Sequence, residues 1–299
     1  MINVKTVFVL GAGASNPFNY PVGSGLYQAV LDNFQKGGSS NAHLINTTRF
    51  VQNDIDKFLM ALARSGQSSV DAFLERRFED FLEIGKAAIA IELMLRENEP
   101  ILWQQPNWMI NLFGRMSSET LEQFDENEVA FVTFNYDRSL EHFLFVSLIN
   151  YFGKSVEDCA AVLRNIPIVH LHGRLGYLPW QHSDSRAYGD TAITVQSVNM
   201  AVKEMRVVHE DITDRDKDFA EAKELLHAAE RVYLMGFGFG AKNVQRIELS
   251  SLRPAVFYGT AYGLTASETA YCKKQCGGNV TLYNGSPCLE FLRNQFEND

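Results

Sequence analysis

A chain of 299 residues, 46% hydrophobic and 21% charged, has the composition of a folded protein and is long enough to bury a large core. Its formal net charge of -9 argues against direct nucleic-acid binding, because phosphate contacts require a concentrated basic surface. The apolar stretches fall short of the roughly 20 residues that span a bilayer. Four cysteines with no secretory leader before them fit a reducing compartment, so a soluble cytoplasmic protein is expected.

Residues 5–10 (KTVFVL) have the β-branched and aromatic character of a strand and run straight into Gly11-Ala12-Gly13-Ala14-Ser15. Residues 16–21 read as a loop and 23–34 as a helix, which is the way a nucleotide-binding α/β domain begins. Phe50, Ile55, Phe58, Leu59 and Leu62 recur with helical period. Ser69 or Asp71 is placed to cap one long helix through 70–99, stopped by Pro100. No strand pattern falls within 40–125. That stretch reads as a mainly helical insertion after the first strand, inside a single domain spanning 1–299.

Strands resume at 129–134, followed by Asn135-Tyr136-Asp137 and a helix, and again at 166–171, ending at His172-Gly173. Residues 174–200 are loop-rich. The densely charged stretch 203–229 reads as a solvated helix face with no function attached. A strand at 231–235 ends in Gly236-Phe237-Gly238-Phe239-Gly240, and one at 255–258 ends in Gly259-Thr260. A helix near 265–275 and a short strand at 280–283 follow. The pattern predicts an α/β fold with a Rossmann-like parallel sheet, whose strand ends share one edge where ligands bind.

Several of those ends carry groups suited to chemistry. The glycines of GAGAS let backbone approach a pyrophosphate, and Ser15 can donate to it; a tight turn without a ligand is the alternative. Asn16 stands where a full dinucleotide fingerprint has its third glycine, and no GK[ST] phosphate loop is present. Asn135 and Asp137 can bond ribose hydroxyls or orient water, although Asp137 could serve only as a helix cap. His170 and His172 face the same side of a strand, but no third metal ligand follows at a recognisable spacing. His172, at the strand end, suits a general base, whereas His170 suits a packed, hydrogen-bonded role. Cys272 and Cys276 share a helical face, and with Cys159 and Cys288 they have poor spacing for zinc, so no metal is expected.

Taken in order, GAGAS, SVDAFLE (69–75), VTFNYDRSLEHFL (132–144), HLHG (170–173) and YLMGFGF (233–239) resemble the sirtuin fold. The chain is most similar to the bacterial sirtuin-like branch that hydrolyses NAD in anti-phage defence. The resemblance implies that Gly11, Ala12, Gly13 and Ser15 hold the NAD diphosphate. It places Asn135 and Asp137 beside the nicotinamide ribose, with His172 as catalytic base. Gly236 and Gly238 fall by the adenosine half, with Gly259 and Thr260 a looser match.

Two departures from deacylating sirtuins stand out. No four-cysteine zinc module follows His172, and Pro21-Val22-Gly23 lacks the acidic and basic pair found after the first glycine turn. Both lower the expectation of a protein deacylase and leave Phe18, Asn19 and Tyr20 as candidates to grip nicotinamide. The resemblance therefore implies an NAD glycohydrolase with NAD as substrate. A non-catalytic NAD or ADP-ribose binding subunit of a defence complex is the alternative. It also implies a homo-oligomer, or assembly with a separately encoded ATPase or sensor protein.

Overall fold

The computed structural model describes residues 1–207 and 212–296, with the side chains of 212–216 left aside. Six strands form one parallel sheet: β1 (Thr6–Leu10), β2 (Val129–Thr133), β3 (Ile168–His170), β4 (Arg231–Met235), β5 (Val256–Thr260) and β6 (Thr281–Tyr283). Their order is β3-β2-β1-β4-β5-β6. The fold is thus the expected Rossmann-like α/β sheet, and its topological switch point lies where β1 meets β4.

The strands read as unbroken apolar runs because both faces of the sheet are covered. On one face Phe8 lies in register with Phe131 and Tyr233, and its ring stacks on theirs at 5.6 and 5.3 Å. On the other, Val7, Val9, Val132, Val232 and Leu234 form a separate core with Phe219, Ala222 and Leu226. Those last three belong to the helix Ile212–Ala228, so the charged stretch 203–229 has an apolar underside. Residues 208–211 of that stretch lie outside the described residues.

Between β1 and β2 the chain is helical throughout, with Gly23–Phe34, Gln52–Ala63 and Phe78–Met94 the longest pieces. The single helix expected over 70–99 is two helices, Val70–Arg76 and Phe78–Met94. Arg77 leaves helical geometry, with φ -123° and ψ 34°. The break lets Phe73 and Phe81 pack on each other and on Phe58 at 5.7–6.1 Å. Ser69 supplies the cap, accepting from the Ala72 amide at 3.2 Å, which leaves Asp71 free for another role. No helix among the described residues is long and apolar enough to cross a membrane.

Candidate active site

The ends of β1 and β4 are seated directly against each other. The Gly11 amide donates to Met235 O and the Gly13 amide to Gly236 O, both at 3.0 Å. Gly236 has φ +59°, and a Cβ on it would fall 2.1 Å from the Ala14 nitrogen. These glycines therefore serve the contact between two turns. The Gly11 and Gly13 amides implied for a diphosphate are already committed. Thr260, from the end of β5, accepts from the Gly236 amide at 2.8 Å and steadies the same turn.

Ser15 is likewise turned inward. Its hydroxyl donates to Asp137 Oδ2 at 2.7 Å and accepts from Asn135 Nδ2 at 2.9 Å. Asn135 Nδ2 also donates to Gly11 O at 3.0 Å. Both amide protons of Asn135 are spent on the protein, which leaves Oδ1 to accept from a hydroxyl or a water. Asp137 is saturated too: Oδ1 accepts from the Ser139 amide at 3.2 Å and from the Ser139 hydroxyl. Asp137 thus accepts from the first amide of the helix Ser139–Phe152 and, through Ser15, orients Asn135. Burial nevertheless raises its carboxyl above the ordinary value, with the serine hydrogen bonds opposing.

The strand expected over 166–171 is shorter, Ile168–His170, so His170 is its last residue and His172 lies beyond it. His170 is buried and fixed at both ring nitrogens, by the Asn135 carbonyl at 3.0 Å and Glu141 Oε1 at 2.7 Å. Burial tends to raise the Glu141 carboxyl, but His170 and Arg174 outweigh it and leave it below its ordinary value. His172 lies at the mouth of β3, its ring edge-on to Phe134 at 5.5 Å and tilted against Tyr136 at 6.2 Å. Gly173 must follow it. With φ +70°, a Cβ there would fall 1.9 Å from the Glu204 carbonyl oxygen.

Asn135, Asp137, His172, Ser15 and Ala12 line one chamber of about 100 Å³ together with Tyr20, Leu26, Phe134, Tyr136 and Asp71. Gly23 and Ala12 also border a wider pocket of about 470 Å³, walled by Gly13, Gly236, Gly238, Thr260 and Tyr262. The two pockets adjoin at the switch point, where an open α/β sheet holds its ligands. Gly11 and Gly259 line neither. Gly11 is covered by Gly236 and Phe237, while Gly259 sits in the sheet between Leu234 and Leu282. Of the three residues considered for nicotinamide, Tyr20 lines the chamber and Phe18 is core. Asn19, with φ 72°, is a turn residue.

Sequence reasoning missed two parts of the site. One is Asp71, which enters the chamber from the helical insertion and accepts from the Tyr136 hydroxyl at 2.6 Å. The other is the wall behind Tyr20, whose hydroxyl meets that of Tyr188 at 3.1 Å. Tyr188 belongs to a loop anchored by Glu97, which is fully buried with Arg138. Glu97 binds Arg138 Nε and Nη2 at 3.0 and 2.7 Å, Arg186 Nη2 at 2.6 Å and the Gly189 amide at 3.0 Å.

Burial lifts the Asp71 carboxyl above its ordinary 3.8, even though the Tyr136 hydrogen bond pulls the other way. The folded chain then holds that proton more tightly than the unfolded chain does. Asp71 accordingly favours the fold most below pH 3.8, and that contribution is lost as pH rises through the folded-state value. Asp71→Asn keeps an acceptor for Tyr136 and is expected to raise the melting temperature at neutral pH. Melts repeated down to pH 3 should show the gain fading; an equal gain at every pH would refute the desolvated charge as its source.

The chain matches no protein-family model and no curated protein sequence.

Proposed function

We propose that the paired pockets bind NAD and that the protein hydrolyses the bond between nicotinamide and its ribose. The observation that carries this reading is the convergence of Asn135, His172 and Asp71, from three separate elements, on one chamber at the switch point. The resemblance to sirtuin-like NAD hydrolases points to two of these, Asn135 and His172, and to Asp137 beside them. The wider pocket would take the adenosine half, against Gly238 and Tyr262.

Nicotinamide leaves as a neutral ring from a cationic precursor, so the site needs no acid for departure. It must steady positive charge on the ribose and deliver water. In this reading Asn135 Oδ1 accepts from a ribose hydroxyl or the attacking water, held by the Gly11 carbonyl and the Asp137–Ser15 relay. His172 takes the proton released as water bonds to the ribose carbon. The helical insertion supplies Leu26, Asp71 and Leu93 to the chamber wall beside the reacting centre. NAD depletion in anti-phage defence is the biological role that accompanies this chemistry in the proteins the chain resembles. Assembly as a homo-oligomer, or with a separately encoded ATPase or sensor, belongs to the same proposal.

The test is to incubate purified protein with NAD and quantify nicotinamide and ADP-ribose by chromatography. His172→Ala and Asn135→Ala are each expected to lower turnover about a hundredfold or more while remaining folded. NAD bound but returned intact would reduce the cleft to a binding site. Failure of NAD to bind at all would sink the nucleotide reading.

A further inference from the structure

The chamber is unusual in its charge. Its lining holds two carboxylates, Asp71 and Asp137, and no lysine or arginine among the described residues. Asp137 already accepts three hydrogen bonds from Ser15 and Ser139. The bond from Tyr136 to Asp71 Oδ1 turns the side chain without neutralising its charge. A carboxylate held this way in a chamber also lined by Leu26, Leu93 and Phe134 has much to gain from a cation and little to offer a neutral or anionic group.

Resting on the reading that the cleft takes NAD, we propose that Asp71 is the carboxylate with which the chamber senses the positive charge of an oxidised pyridinium. The site thereby accepts NAD and discriminates against its reduced form. The same charge serves the reaction. As the bond between C1′ and the ring nitrogen breaks, both electrons leave on nitrogen and positive charge passes to the ribose. Water oxygen then bonds to C1′ and its proton goes to His172. Asp71 faces a cation before and during this transfer, so its contribution persists into the transition state. A reduced nicotinamide ring is neutral and offers Asp71 nothing in exchange for lost hydration.

Equilibrium binding of NAD and NADH to the His172→Ala protein reads this without substrate loss. NAD should bind about tenfold or more tightly than NADH. Adding Asp71→Asn should bring the two within about twofold of each other. Tyr136→Phe, which keeps the carboxylate, should retain the preference, and thermal melts show that each variant is folded. An NAD preference that survives Asp71→Asn overturns the inference whether or not the protein hydrolyses NAD. If Asp71→Asn abolishes the preference but wild-type protein releases no nicotinamide, charge sensing holds and the hydrolase reading fails. If neither nucleotide binds the His172→Ala protein, both fall together.

Discussion

Glu97→Ala is expected to destabilise the fold by about 3–5 kcal/mol. In a chain of this size that is a fall in melting temperature on the order of 10 °C, measurable by calorimetry. Glu97 is the counter-charge for Arg138, which has no exposed side-chain surface, and for Arg186, which is nearly as deep. Burial already depresses the Arg186 guanidinium below its ordinary value, and Glu97 is the main group opposing that shift. Removing Glu97 would leave two buried cations facing each other with no anion between them. Glu97→Gln keeps acceptor and donor atoms and should cost less than Glu97→Ala. If Glu97→Ala melts within about a degree of wild type, the network does not hold the loop. The damage should also reach the chamber, because the loop fixed by Glu97 presents Tyr188 to Tyr20. A weaker affinity for NAD in the surviving folded protein is the expected companion result.

The second large effect concerns the crossing of the two glycine turns. Gly236→Ala forces a side chain into left-handed backbone and drives a Cβ into the backbone of Gly13 and Ala14. A cost on the order of 3 kcal/mol or more follows from the strain and from pushing β1 and β4 apart at their ends. Gly238→Ala provides the contrast. A Cβ there meets nothing within 4 Å and the backbone is not left-handed, so the fold should barely register it. Because Gly238 borders the wider pocket, this variant should instead weaken nucleotide binding. Denaturant unfolding and nucleotide titration of both variants separate the two roles. Equal stability losses would refute the distinction.

Much of the architecture was legible because each β-branched or aromatic run stops at glycine or polar residues. Residues 129–134 and 231–235 announced strands β2 and β4 almost to the residue, and the glycine, asparagine and histidine ends lie along the sheet edge that borders the two pockets. The partners of those ends were not legible. Ser15 looks like a phosphate donor until its distance to Asp137, 122 residues away, is known. Glu97 is one acidic residue among many until the fold brings Arg138 and Arg186 to it. Asp71 competes with Ser69 for a helix cap in the sequence, and only the contact of the insertion with Tyr136, just after β2, reveals that Ser69 caps while Asp71 faces the chamber. The break at Arg77 was hidden for a related reason. The residues on both sides favour helix, and the break goes with a tertiary cluster of Phe58, Phe73 and Phe81 that sequence period does not show.

The position of β1 at the centre of the sheet has a consequence for biosynthesis. Its two neighbours begin at Val129 and Arg231, so the first strand emerges from the ribosome long before either can pair with it. At about 5–20 residues per second, the wait for β4 is on the order of ten seconds or more. During that interval the uncharged segment Thr6–Leu10 is an aggregation hazard that chaperones would have to shelter. The same delay has a protective side. Since β1 and β4 together form the switch point, the cleft beside it cannot assemble until β4 has been made.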